Sequence, residues 1–360
     1  MSDYRIHFEH NKTTNGQRFY RTLYKKLENR QSKKYNVVLF NVSTNLWELI
    51  KNKLKGKTIV VRVAALYFDI YDKESSEKAS FFANYICKTL KLCGCSEELV
   101  NDFYNFFNRN YGVFARVIFA DYLIHQSHFS RKCMNRYFKY KPSIVIPNGA
   151  QNRTESKLIK QHKTSFQLLT VYDSNRLSKR IYDLLNFIKY ANANSFPCEL
   201  TILGFDGKIC PGYPQDFSNL LDLNEVTLVP TFKQFDSSIS QFYCDSDAFI
   251  TFTYRDACPN IIIEAMAFSL PIVAFDSGGI KDITQEKISL LSLNDDSKYH
   301  VPHRYSHNFP QITYENVLKV LKSVENDPSC HKRQTINAFT NKLAIDKVAD
   351  TYDLFLKTII

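Results

Sequence analysis

Apolar positions along this chain follow two different periods. Short runs rich in β-branched and aromatic residues, such as Asn36–Val42 and Thr58–Val63, alternate with longer stretches whose apolar residues recur every three to four positions. In the first half, strands are predicted at Tyr4–Phe8, Asn36–Val42, Thr58–Val63, Tyr122–His125 and Ser143–Ile146, with helices over Gln17–Asn29 and Ser130–Phe138. Residues 75–119 read as several helices and hold much of the aromatic content. The second half repeats the alternation more regularly. Strands are predicted at Phe166–Val171, Glu199–Leu203, Val226–Val229, Ala248–Thr253 and Pro271–Phe275, with helices over Lys179–Ala191, Ser237–Cys244, Ile261–Phe268 and Ile345–Phe355. Strands alternating with helices predict an α/β architecture with mainly parallel sheets.

At 360 residues the chain exceeds one ordinary core, so two domains are expected. The turn signal Pro147-Asn148-Gly149, followed by the polar stretch Gln151–Thr164, marks the break between them. Asn148 and Gly149 are expected to supply positive φ there, and Ser130 to cap the helix it precedes. No internal repeat or low-complexity tract interrupts the pattern.

Hydrophobic residues make up 44% of the chain, yet no apolar run reaches the ~18 residues of a membrane span. A soluble, globular protein is expected. The first residues, Met-Ser-Asp-Tyr-Arg-Ile-His, lack the apolar core of a signal peptide. The nine cysteines are odd in number and scattered, with only Cys93 and Cys95 close together. A reduced cytoplasmic setting is therefore expected, with the sequons at Asn11 and Asn152 unused. The net charge of +11 admits an anionic substrate, an anionic membrane surface or nucleic acid. Lysines and arginines are spread along the chain without a nucleic-acid-binding signature, which leaves the first two. Two near-motifs fail. Gly56-Lys57-Thr58 lacks the earlier glycine of a phosphate-binding loop, because Lys51 stands there. Leu203-Gly-Phe-Asp-Gly207 is not a dinucleotide fingerprint. No His/Cys/Asp set has zinc spacing, and no metal is expected.

The densest chemistry lies between Asp256 and Gly279. Two carboxylates, Asp256 and Glu264, stand eight residues apart across a turn (Ala257, Cys258, Pro259, Asn260) and the start of a helix. Proline suits a helix start, where its missing N–H costs nothing. Amides at that end hold phosphates, while carboxylates accept from sugar hydroxyls. An anionic diphosphate bearing a sugar is the ligand this arrangement suits. Upstream, Arg176, Lys179 and Arg180 follow a strand and open a helix, at the strand-end position where doubly wound folds bind ligands.

The run from Asp256 through Glu264-Ala-Met-Ala267 to Leu270-Pro271 and Gly278-Gly279 closely resembles the donor-site motif of family-4 glycosyltransferases, retaining enzymes of the GT-B fold. The resemblance is strong from Ser143 to Ile283 and weak over the first fifty residues. It implies two Rossmann-like α/β/α domains facing across a cleft. An acceptor-binding domain would span 1–150 and a nucleotide-sugar domain 151–340, with 341–360 a helix returning to the first domain. It further implies that Arg176 and Lys179 neutralise the donor diphosphate, that Glu264 holds the ribose, and that Ala257, Cys258, Pro259 and Asn260 line the donor site beside it. Asp256 would contact the transferred sugar from the position where relatives carry a longer glutamate. Thr231 and Phe232 would lie near the base, and Asn15 and Gly16 in an acceptor-side loop. Ala64 stands where a related subgroup carries an aspartate, and the catalytic candidates are Asp256 and, as a substitute for that missing carboxylate, Asp69. The implied reaction is hexosyl transfer from a nucleoside-diphosphate sugar to a glycan or lipid-linked acceptor, at the cytosolic membrane face and with no cofactor. A catalytically weak sugar-nucleotide-binding or scaffold protein is the alternative, and an epimerase on the same fold a more distant one.

Overall fold

A computed structural model describes residues 4–7, 15–63, 85, 88–89, 91–92, 110–138, 141–153, 164–172, 177–209, 212–230, 237–284, 290–291 and 309–359. The chain forms two compact units. The first takes the described residues up to Pro147 together with those from Val348 onward; the second runs from Asn148 and closes at Lys347.

In the first unit five parallel strands, β1 (Tyr4–Ile6), β2 (Val37–Asn41), β3 (Thr58–Val63), β4 (Tyr122–His125) and β5 (Ser143–Val145), lie in chain order. β2 and β3 are apolar on both faces because both faces are covered, as parallel sheets require. Every crossover among these strands steps in the same direction, so this sheet contains no reversal of strand order among the described residues. The closing helix, Ile345–Thr358, fastens to this unit. Tyr4 Oη donates to Asp353 at 2.8 Å and Arg30 pairs with Asp350 at 2.8 Å. The Tyr352 and Phe355 rings meet Phe19 and Tyr122.

The second unit holds six parallel strands: β6 (Phe166–Val171), β7 (Cys198–Phe205), β8 (Val226–Pro230), β9 (Ala248–Thr251), β10 (Ile272–Phe275) and β11 (Leu290–Leu291). Their order is β11-β10-β9-β6-β7-β8. The chain steps outward from β6 to β8, returns to lay β9 beside β6, then steps outward the other way. Strand residues divide between two cores by their period of two. Leu168, Leu200, Ile202, Ile250 and Val273 face one core with Leu184, Phe187, Ile188 and Leu321. Leu169, Leu203, Phe249, Ile272 and Ala274 face the other, with Ile262, Ile263, Met266 and Phe339. Each fully buried Leu, Ile or Phe stabilises the fold by about 1.5–3 kcal/mol, which is why the alternation is so strict.

This is the GT-B fold, an α/β fold of two parallel sheets. All ten predicted strands form, within two residues of their expected ends. Two local expectations are corrected. Ser130 lies inside the His128–Phe138 helix; Ser127 is the cap, its Oγ accepting from the Ser130 N–H at 2.9 Å. The hydroxyl three residues before an amide reaches it, whereas the amide's own residue cannot. Neither Asn148 nor Gly149 takes positive φ. The turn is held by side-chain contact instead, with Asn148 buried and donating to Asn260 Oδ1 at 2.7 Å.

Candidate functional site

The strand order of the second unit reverses between β6 and β9, and parallel α/β sheets bind ligands beyond the carboxyl ends of the strands at such a point. After β6 the chain forms a 3₁₀ turn, Leu177–Lys179, and enters the Ile181–Ala193 helix through Arg180 in the left-handed conformation (φ 53°). The segment after β9 runs alongside: the Tyr254 N–H donates to Ser178 O at 2.8 Å. That backbone bond aligns two loops 76 residues apart. In consequence Lys179 Nζ donates to Asp256 Oδ2 at 2.9 Å, with the two side chains only 10% and 18% exposed.

Asp256 is fixed from three directions. Its Oδ1 accepts from the Cys258 N–H at 3.1 Å, a local turn that aspartate favours. Its carbonyl accepts from the Gly279 N–H at 2.8 Å, and the neighbouring Arg255 N–H donates to Ser277 Oγ at 2.9 Å. Gly278, at φ 63°, lies directly against this backbone: a Cβ there would stand 2.4 Å from Asp256 O and 2.9 Å from Asp256 N. The Gly-Gly turn after β10 is therefore a close-approach site, and any side chain at 278 pushes the carboxylate loop away.

Pro259 sits at the N-cap of the Asn260–Ala267 helix, and its carbonyl accepts from the Ile262 N–H at 3.1 Å. Glu264, one turn beyond Asn260 and on the same helical face, is half-buried. Burial pushes the Tyr243 phenol well above its ordinary range, and the charge of Glu264 pushes it further. Ala257 and Cys258 are buried beneath the turn. Arg180 is buried too. Its Nε donates to Asp183 at 2.8 Å and its guanidinium lies 5.4 Å from the centre of the Phe309 ring.

The geometry thus brings Lys179 and Asp256 into contact, with Ala257 to Asn260 continuing into the helix that carries Glu264. Arg176, Thr231, Phe232, Ala64 and Asp69 lie outside the described residues. Asn15 and Gly16 open the Asn15–Leu27 helix rather than lying in a loop. Ser178, Tyr254 and Ser277 were not singled out from sequence; their parts are played by backbone atoms or by a hydroxyl on another loop, which leave no motif. Among the described residues no group of side chains could hold a metal ion.

Residues 168–301, the segment that builds this site, match the family model described as "Glycosyl transferases group 1". No curated protein matches the chain by sequence. Among solved structures it is similar to a sucrose-phosphate synthase from Thermosynechococcus elongatus (13% identity, 97% of this chain and 80% of that one, TM-score 0.58). A glycosyltransferase from Rickettsia africae is comparable (13% identity, 98% and 84%, TM-score 0.59). So is HepE from Anabaena in complex with UDP (14% identity, 97% and 85%, TM-score 0.55). At these identities the likeness establishes the fold.

Proposed function

We propose that the protein is a retaining glycosyltransferase that moves a hexosyl unit from a nucleoside-diphosphate sugar to a glycan or lipid-linked acceptor. It would act as a peripheral protein at the cytosolic face of a membrane, without a metal or other cofactor. The observation that carries this reading is the Lys179–Asp256 contact at the strand-order reversal, inside the segment that matches the group 1 glycosyltransferase model.

In this reading the second unit binds the donor and the first unit the acceptor. The bond between the sugar's anomeric carbon and the diphosphate oxygen breaks, and the acceptor oxygen bonds to the same face of the sugar. The acceptor proton passes to the departing phosphate. Charge builds on that phosphate as it leaves, so fixed cations in a largely dry site stabilise the transition state more than the ground state. Lys179 is such a cation, already desolvated and held in place by Asp256; Arg176 is its expected companion. Asp256 contacts the transferred sugar, Glu264 the ribose, and Thr231 and Phe232 the base. Asp69, Asn15 and Gly16 serve the acceptor. HepE has been crystallised with UDP and with UDP-glucose, which makes UDP-sugars the first donors to try.

Incubating the protein with a panel of donors, with and without acceptors, and following nucleoside-diphosphate release tests the reaction. Glu264→Gln should weaken free nucleotide and intact donor alike, whereas Asp256→Asn should weaken the intact donor more. Equal losses for both ligands in both variants would sink this division of labour. Tight donor binding with no turnover over a broad acceptor panel would favour the scaffold reading.

A further inference from the structure

The chain has a single tryptophan, Trp47, and it is 65% exposed. It stands in the first turn of the Leu46–Leu54 helix, where its backbone N–H donates to Asn45 Oδ1 at 2.9 Å. Leu54, seven residues on and therefore on the same face, is 79% exposed. Between and just beyond them on that face are Lys51 and Lys55, both exposed. The stripe thus reads aromatic, cation, aliphatic, cation. The opposite side of the helix buries Leu49 against Val113 and Val117 of helical residues 110–119, so the stripe is the side left over after the core is made.

That neighbouring helix extends the same chemistry. Ile118 is 58% exposed and Phe119 lies next to it. The ends of the two helices are tied by the Lys53–Asp121 ion pair, and Arg116 Nε donates to Thr44 O, just ahead of the first helix, at 2.6 Å. Lys141 adds a cation at the same end, its Nζ donating to Ile118 O at 3.0 Å. Among the described residues, the exposed large apolar side chains other than Ile209 belong to the first unit.

Single exposed apolar residues are ordinary. A stripe pairing them with lysines is a different object. It matches an anionic bilayer surface, where the indole and aliphatic side chains enter the headgroup region and the ammonium groups remain with the lipid phosphates. Glu48, the helix's one acid, is half-buried at the margin of the stripe and does not cancel its charge. No helix among the described residues is long and apolar enough to cross a membrane, so the contact would be peripheral.

We infer that the face of the first unit bearing Trp47, Lys51, Leu54 and Lys55, continued by Ile118 and Phe119, is a docking surface for an anionic lipid bilayer. This rests on the peripheral-membrane part of the proposed function and is independent of its chemistry, because vesicle binding is measured without nucleotide. Trp47 is its own reporter. With vesicles of phosphatidylserine and phosphatidylcholine its emission should shift to the blue and the protein should co-sediment, the effect fading as salt rises. Phosphatidylcholine alone should give neither. The Lys51→Gln/Lys55→Gln double variant should bind about thirtyfold more weakly, the loss expected for two lysines near an anionic surface. Leu54→Asp should abolish the emission shift, and both variants should keep wild-type thermal stability and nucleotide affinity. Three results would overturn the assignment. One is no binding to anionic vesicles. Another is co-sedimentation with unchanged Trp47 emission, which would place the contact on another face. The third is a lipid-free blue shift growing with protein concentration, which would make a second copy of the chain the occupant.

Discussion

Replacing Lys179 by methionine tests the centre of the site most directly. Methionine keeps the length and most of the volume of the side chain, so the perturbation is the loss of one buried charge and its 2.9 Å bond to Asp256. Two unit charges about 4 Å apart attract by about 4 kcal/mol at an effective dielectric of ~20. Desolvation of both groups opposes this, so the pair's net worth is smaller than its attraction. Removing one partner is nevertheless costly, because the Asp256 carboxylate, only 18% exposed, loses the Lys179 ammonium. Losses of about 3–5 kcal/mol are typical of such half-removals in fully buried pairs, and the residual exposure here points to the lower end, about 3 kcal/mol. Asp256→Asn should lose a comparable amount. The double variant should lose clearly less than the sum, with a coupling of about 1–3 kcal/mol. Urea unfolding of the four proteins gives the cycle, and calorimetry with a nucleoside diphosphate gives the second readout: affinity should fall by about 1.5–3 kcal/mol for Lys179→Met. Additive stabilities, or nucleotide affinity equal to that of the wild type, would show that Lys179 is an ordinary surface cation and refute the reasoning.

Three further outcomes follow from other parts of the molecule. Gly278→Ala should destabilise the protein by about 1–3 kcal/mol and weaken donor binding, since both its positive φ and the 2.4 Å approach to Asp256 O forbid a methyl group; a melting temperature and donor affinity like those of the wild type would contradict the close packing. Ser127→Ala should cost about 1 kcal/mol in urea unfolding, while Ser130→Ala should cost less, because Ser127 supplies the cap. His125, at the end of β4, is fully buried, and neither ring nitrogen has a hydrogen-bond partner among the described residues; burial, aided by the charge of Arg131, lowers its pKa from 6.5 to about 4. The unfolded chain therefore binds this proton more readily. The neutral imidazole's contribution to stability is complete above pH ~6.5 and should fall by about 3 kcal/mol as pH drops towards 4, relative to a His125→Leu variant measured in parallel. Parallel pH profiles for the two proteins would refute it.

How much of this was legible in the chain differs from element to element. β2, β3, β6, β9 and β10 announce themselves as short apolar runs, because a parallel strand covered on both faces has no other way to be written. The sequence pattern predicts neither the two-residue β11 nor the helices Leu46–Leu54, Phe217–Leu221, Ile280–Thr284, Tyr314–Asn326 and Pro328–Lys342. A two-residue strand has no periodicity, and the Leu46–Leu54 helix has one buried apolar position. The carboxylate turn and the Gly-Gly turn were visible as a motif, because both carry constraints local to a few residues: an Asx turn, a helix-starting proline, and glycine where no Cβ fits. Propensity marks Ser130 as a cap but Ser127 is the one that acts, since propensity names a residue type and not the amide it reaches.

Sequence alone thus determined the alternation of strands and helices, the α/β class, and the residue types around Asp256. Only the tertiary structure decided that β9 returns to lie beside β6, reversing the strand order in one sheet while the other keeps chain order. That return joins Ser178 to Tyr254 and sets Lys179 against Asp256, partners 77 residues apart. It also lays Gly278 against the Asp256 backbone. The reason is physical: local periodicity records which face of an element is buried, but not which neighbour buries it. Charge pairing across loops depends on that neighbour.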